Sequence, residues 1–260
     1  MISSPPSTSR ATLLESTQRD DYLARVGQSV RDLHASRDQF QAVELLGNAA
    51  GCLGAETAVF LSLVRESEAS SACRILVACN PGWSNEYEHC GGFEADPWLR
   101  YALRHAEPVR DVEIPVVTER GQAIIDVARR YGFRAAVIIP SPATNRLTRA
   151  GVLYLGSSVP GYFDDDGYLA FKVVARGVAA ELNQWWLERL RDELLEHSNL
   201  SSADLQILSR EWSGCSTKMI ARELGWSTGA VDCRFQRVIA KLGVANRGAA
   251  ARLAAEYGLI

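Results

Sequence analysis

The last sixty residues are punctuated by small residues at a spacing that leaves little room for anything but short helices. Leu205, Leu208 and Trp212 share one face and predict a helix over 202–212, closed by Gly214. Ser216 is placed to cap a second helix, 217–224, which carries Ile220, Ala221 and Leu224 and stops at Gly225. Ser227 caps a third, 228–242, and residues 247–257 form a fourth. Two short helices joined by Leu-Gly-Trp-Ser have helix-turn-helix spacing.

On the third helix, Val231, Phe235, Val238 and Leu242 make the stripe that turns inward. The opposite face carries Gly229, Cys233, Gln236, Arg237 and Ala240, with Arg234 and Lys241 on one flank and Asp232 on the other. Small residues near its start let such a rod approach a DNA groove closely. Gln and Arg bond base edges, and flanking cations sit on phosphates. An ordinary solvated helix face carries the same pattern. Charge separates the ends of the chain. Residues 201–260 hold eight Lys/Arg against five Asp/Glu, a net +3, while the first 200 residues carry −6. A small basic module on a larger acidic one suggests a polyanion-binding end and a different task for the rest.

Residues 1–20, rich in Ser, Thr and Pro, read as a mobile arm. Residues 21–53 read as helix, with Leu23, Val26, Val30 and Leu33 in register. Strands are expected at 57–64, 73–79, 133–140 and 151–156, and helix at 82–105 with an interruption near Gly91-Gly92. Residues 119–131 are helical, with Gly132 as the C-terminal stop. Asp164, Asp165 and Asp166 open a long helix to about Leu195, carrying Val174, Val178, Leu182, Trp185 and Trp186 on one stripe. The polar run HSNLSS marks a domain boundary. This predicts an α+β chain: an α-β-α sandwich with an antiparallel sheet over 21–196, then a four-helix module over 197–260.

The 260 residues are long enough for one or two domains, and 47% hydrophobic content is ordinary for globular proteins. No apolar run approaches the ~20 residues of a membrane span, and the N-terminus lacks the charge-then-apolar pattern of a signal peptide. Six cysteines without a CxxC pair read as reduced thiols, so a cytoplasmic location is expected. His34, His89, His105 and His197 have no metal-ligand spacing, and there is no GxGxxG, P-loop, HExxH or GxSxG. No metal and no enzymatic activity are expected. His89-Cys90 as a catalytic pair is disfavoured, and Asp164–Asp166 is a helix start rather than a metal cluster. Cys233 reads as a small neutral spacer before it reads as a redox switch.

Trp83 and Tyr87 stand at i, i+4, and Asp96-Pro97 follows nine residues later. Two aromatics at that spacing often serve as core, and Asp-Pro is a common helix start.

Both ends are similar to one family. The run from Leu200 to Arg247 resembles the LuxR-type DNA-binding domain, whose pattern is L-T-x-R-E, then a Leu, G-x-S-x-x-E-I-A, S-x-x-T-V and K-L-x-V-x-N-R. Leu208, Gly214, Ser216, Ile220, Ala221, Leu224, Ser227, Val231, Lys241, Leu242, Val244 and Asn246 match; Ala203-Asp204, Met219 and Ala230 depart from it. W-x3-Y-x8-D-P, here Trp83, Tyr87, Asp96 and Pro97, resembles the autoinducer-binding domain of the same regulators. The resemblance implies that the Trp indole N–H bonds a lactone carbonyl. It also implies that the Asp accepts the amide N–H of an acyl-homoserine lactone and that the Tyr lines the pocket.

Three positions depart: Asp111 stands where a second Trp is usual, Ala136 where a Gly is, and Cys79 where many members have a Tyr. Trp98 is a candidate for the missing aromatic wall.

The resemblance implies a ligand-responsive regulator of promoter DNA, acting as a homodimer paired through the long helix and the last helix. No cofactor is expected beyond an acyl-homoserine lactone ligand. Its DNA-contacting set is Ser216, Lys218, Ser227, Thr228, Gly229, Asp232, Cys233, Arg234, Gln236, Arg237 and Lys241; RNA polymerase is left open as a further partner, and no membrane is expected. A regulator with an altered or empty pocket, answering to another ligand or to a protein partner, is the alternative. A small-molecule enzyme with a helical interaction tail is disfavoured by its missing catalytic constellation.

Overall fold

The computed structural model describes residues 11–36, 38–65, 71–142 and 149–260. It forms two compact units, one holding most residues up to Asn183, the other holding Gln184–Ile260. The first begins with α1 (Leu13–Thr17), α2 (Tyr22–His34) and α3 (Gln39–Leu53). The helix expected over 21–53 is therefore two. Asp38 adopts extended backbone and its carboxylate accepts from Gln41 N at 2.8 Å, starting α3 afresh. The inward face of α2 is Tyr22, Val26, Ser29 and Leu33; Val26 and Leu33 are as expected, but Leu23 stands 68% exposed. Of the arm expected over 1–20, residues 1–10 lie outside the described residues, and the part from Thr12 is ordered. Thr12 and Glu15 form a reciprocal capping box, and Leu13 is fully buried.

The strands are β1 (Thr57–Arg65), β2 (Ser71–Ala78), β3 (Val109–Arg110), β4 (Ala135–Pro142) and β5 (Arg149–Ser157). They form an antiparallel sheet in the order β2-β1-β5-β4-β3. In β4 and β5, Val137 lies opposite Leu155 and Ile138 opposite Tyr154. The two-residue β3 was not foreseen, since so short an edge carries no periodicity.

Between β2 and β3 lie three short helices where one interrupted helix was expected: α4 (Gly82–His89), α5 (Gly92–Ala95) and α6 (Pro97–Ala102). Gly91 and Gly92 both have positive φ and break the first junction; Asp96-Pro97 restarts the chain as a cap and first helical residue. After β3 comes a 3-10 turn (Asp111–Glu113), then α7 (Glu119–Arg130), with Gly132 at φ 99° turning the chain into β4.

Side chains alternate across β5. Tyr154 faces α6, while Gly151 faces the following long helix, α8 (Tyr168–Ser198), so closely that an added Cβ would lie 2.5 Å from Asn183 Oδ1. Helices thus cover both faces of the sheet. Asp164 sits in a separate 3-10 turn (Tyr162–Asp164), and Asp165 accepts from Gly167 N, so α8 starts four residues later than expected. It also continues through His197 and Ser198; the break is Asn199, at φ 49°, to Ser201.

The second unit holds α9 (Ser202–Trp212), α10 (Thr217–Leu224), α11 (Thr228–Leu242) and α12 (Arg247–Glu256). Ser201, Ser216, Ser227 and Asn246 each accept a backbone N–H of the first turn, and Gly225 and Gly243 close α10 and α11 in left-handed conformation. Ile207, Leu208, Ile220, Val231, Phe235, Val238, Ala250 and Ala254 are buried together at the centre of the four helices.

Candidate functional site

The first unit has a polar centre inside its aromatic layer. Asp96 is 1% exposed, and both its oxygens are engaged. Oδ1 accepts from the backbone N–H groups of Trp98 (2.8 Å) and Leu99 (3.2 Å), capping α6. Oδ2 accepts from the Tyr87 hydroxyl (2.8 Å) and the Tyr154 hydroxyl (2.9 Å). Burial pushes the Asp96 carboxyl up from its ordinary range, against the opposing pull of these four donors. Burial, together with the facing carboxylate, also raises the Tyr87 and Tyr154 hydroxyls, so both stay protonated donors.

Trp83 stacks on Tyr87, ring centroids 4.5 Å apart and 21° from parallel. It is 2% exposed, and among the described residues its Nε1–H has no hydrogen-bond partner. Trp98 packs edge-on against Tyr154 at 5.3 Å and near Phe133 at 6.1 Å. The structure thus brings Trp83, Tyr87, Asp96 and Trp98 together around one carboxylate. Tyr154, on β5, completes the set and was missed. Its signal was the inward register of GVLYLG, which gives the face but not the partner. Cys79 follows β2 directly, with its thiol directed at the Asn80 carbonyl (3.7 Å), and burial raises it to about 12. It brings no charge to the site at neutral pH.

Two of the departures from the family pattern meet. Asp111 Oδ1 accepts the backbone N–H of Ala136 at 3.0 Å, tying the 3-10 turn to β4. The half-buried carboxylate is therefore a backbone clamp on the sheet rather than an unpaired charge facing an apolar wall.

In the second unit, Lys218, Thr228, Gly229, Asp232, Cys233, Gln236 and Arg237 are exposed. A Cβ added at Gly229 would meet nothing within 4 Å, so the start of α11 is open. Among the described residues, Arg237 bonds only along its own helix, to Cys233 Sγ at 3.3 Å. Ser216 and Ser227 act first as helix caps.

Arg234 and Lys241, the flank expected to meet phosphates, both pair with a carboxylate of their own unit. Asp204, 4% exposed, receives Arg234 Nη1 on Oδ1 (3.1 Å) and Lys241 Nζ on Oδ2 (2.8 Å). Lys241 also donates to the Asn199 carbonyl at 2.7 Å, and the Arg234 guanidinium lies 5.2 Å from the Trp226 ring centroid. Burial works to raise the Asp204 carboxyl, but the bonds from Lys241 and Ser201 outweigh it and hold it below the ordinary range. Asp204 so fixes α11 against the start of α9.

A sheet-and-helix unit with a buried polar centre is thus followed by a capped helix-turn-helix unit. Residues 38–168 match the family model of the autoinducer binding domain, and residues 198–254 match that of the bacterial regulatory proteins of the luxR family. The chain belongs to the LuxR family of transcriptional regulators, with an autoinducer-binding domain and a helix-turn-helix DNA-binding domain.

The crystal structure of Escherichia coli SdiA superposes with a TM-score of 0.68 at 18% identity, over 92% of this chain and 99% of that one. SdiA in complex with octanoyl-rac-glycerol gives 0.67 at 18% identity, over 93% and 98%. CepR2 from Burkholderia cenocepacia, described as an N-acylhomoserine lactone dependent LuxR family transcription factor, gives 0.56 at 18% identity, over 66% and 98%. At such identity these likenesses show the fold. No curated protein sequence matches the chain. Among the described residues no helix is long and apolar enough to cross a membrane.

Proposed function

We propose that this chain is a ligand-responsive transcriptional regulator. Its 21–196 region binds an acylated small molecule at the Trp83–Tyr87–Asp96 centre, and its 197–260 region binds promoter DNA as a homodimer. Acyl-homoserine lactones are the first candidates. CepR2 depends on such a lactone and SdiA has been solved with an acylglycerol, so the fold is compatible with acyl chains under more than one polar head. The observation that carries the reading is the Trp83 indole N–H, a buried donor without a partner among the described residues, stacked on the tyrosine that reaches Asp96. A buried donor left unpaired costs about 1–3 kcal/mol, and a ligand carbonyl would recover it.

On the DNA side, the outer face of α11 offers Gly229, Cys233, Gln236 and Arg237 to base edges, with Lys218 and Thr228 beside it. Two copies are needed because one module of this size makes too few contacts for tight, specific binding. The test is a thermal-shift series with N-acyl-homoserine lactones of increasing chain length, paired with footprinting on the chain's own promoter region. A ligand at about a hundred times its Kd adds about 2.7 kcal/mol to the sensing domain. A flat melting midpoint across the series, or no protected DNA, would remove the corresponding half of the proposal. The clamp between Asp111 and Ala136 favours an altered head-group wall over the family's usual one.

A further inference from the structure

Granting the DNA-binding reading above, we infer that Asp232 selects a cytosine in each half-site of the operator, its carboxylate accepting from the base's N4 amino group in the major groove. The way α11 is held decides which side of it is free. Arg234 and Lys241 are drawn onto Asp204, so that flank faces α9. Val231, Phe235 and Val238 face the core. At about 100° per residue, the exposed arc that remains runs from Asp232 through Gln236, Gly229 and Cys233 to Arg237.

Asp232 is the only acidic residue of α11, and the fold does not use it. It lies past the first turn, where an acid would complement the helix dipole. Thr228 and Gln236, one turn to either side, are uncharged. Among the described residues its carboxylate takes part in no hydrogen bond or ion pair. Gly229, three residues earlier, leaves open space beside it, so no neighbour holds the short Asp side chain away from a base edge.

A bare carboxylate on a DNA-facing helix costs affinity wherever it meets a phosphate or a base acceptor. In the major groove guanine shows two acceptors, and thymine an acceptor and a methyl group. The adenine amino group stands between its own N7 and the thymine O4, both acceptors, whereas the cytosine amino group has an acceptor on one side only. Cytosine is thus the base that a carboxylate meets with least repulsion.

Selection from a random DNA duplex library, by the full-length protein with and without N-octanoyl-homoserine lactone, tests this. The parent should enrich sites with one C·G pair per half-site whose replacement by any other pair lowers affinity about tenfold. Asn pairs with adenine N6 and N7, so Asp232→Asn should change the enriched base there from cytosine to adenine and leave the other positions as they were. Asp232→Ala should accept all four bases at that position. The residue is exposed, so neither change should move the melting midpoint. If both variants bind every sequence more tightly by the same factor, the carboxylate faces a phosphate and the inference falls. It falls too if parent and variants enrich the same sites. A parent that enriches no sequence in either condition overturns the DNA-binding reading as well.

Discussion

At the scale of single residues, Asp96 has two tasks: it starts a helix and satisfies two hydroxyls. Asp96→Ala should therefore cost more than a lost cap. The cap is worth about 1 kcal/mol, and the stranded Tyr87 and Tyr154 hydroxyls about 1–3 kcal/mol each, so a loss of about 3–7 kcal/mol is expected in urea unfolding of the first unit. Asp96→Asn keeps an oxygen for the cap and should cost less than half of that. A loss near 1 kcal/mol for the Ala variant would mean that the tyrosines find other acceptors. The Asp-Pro cap was legible in the sequence because it is local. The second role was not, since Tyr154 lies 58 positions away and arrives only through the register of β5 against β4. The same holds for Asp111. Its identity raised the question of an unpaired charge, and only the backbone N–H of Ala136 answers it.

At the scale of elements, the four C-terminal helices were readable almost to the residue, because Ser and Gly at their ends act through bonds within three or four positions. Helix faces and joints were harder. Of the α2 stripe, Val26 and Leu33 are buried as expected, while Tyr22 and Ser29 turn inward in place of Leu23 and Val30. The joint before α3 depends on one carboxylate cap.

The contact of α9 with α11 gives a pH prediction. The folded Asp204 carboxyl lies below the ordinary range, so its stabilisation is fully present above about pH 4, the unfolded value, and fades as pH falls through the lower folded value. Asp204→Asn should lower the stability of the second unit by about 1–3 kcal/mol at neutral pH. The gap between variant and parent should close on acidification. A gap that persists unchanged to the acid limit would show that packing, not charge, holds the two helices.

At the scale of the whole molecule, most of the autoinducer-binding domain and the helix-turn-helix domain fall in separate compact units, and some side chains have no fold-keeping task. Arg237 is one: exposed, and bonded among the described residues only to Cys233 on its own helix. Arg237→Ala should weaken specific operator binding by about 1–3 kcal/mol, roughly ten- to a hundredfold, and leave the melting midpoint unchanged. An unaltered operator affinity would take Arg237 off the groove-facing side. Arg234 and Lys241 have a consequence for how this protein meets DNA. With Arg210 on Glu223 and Arg247 on Glu211, four of the eight basic side chains in the last sixty residues already have a carboxylate counter-charge, so they displace few condensed cations from the duplex. Each phosphate neutralised contributes about −0.9 to the slope of log affinity against log salt. The slope should therefore be shallower than a count of basic residues suggests, and binding should hold at ionic strengths that release more strongly cationic helix-turn-helix modules.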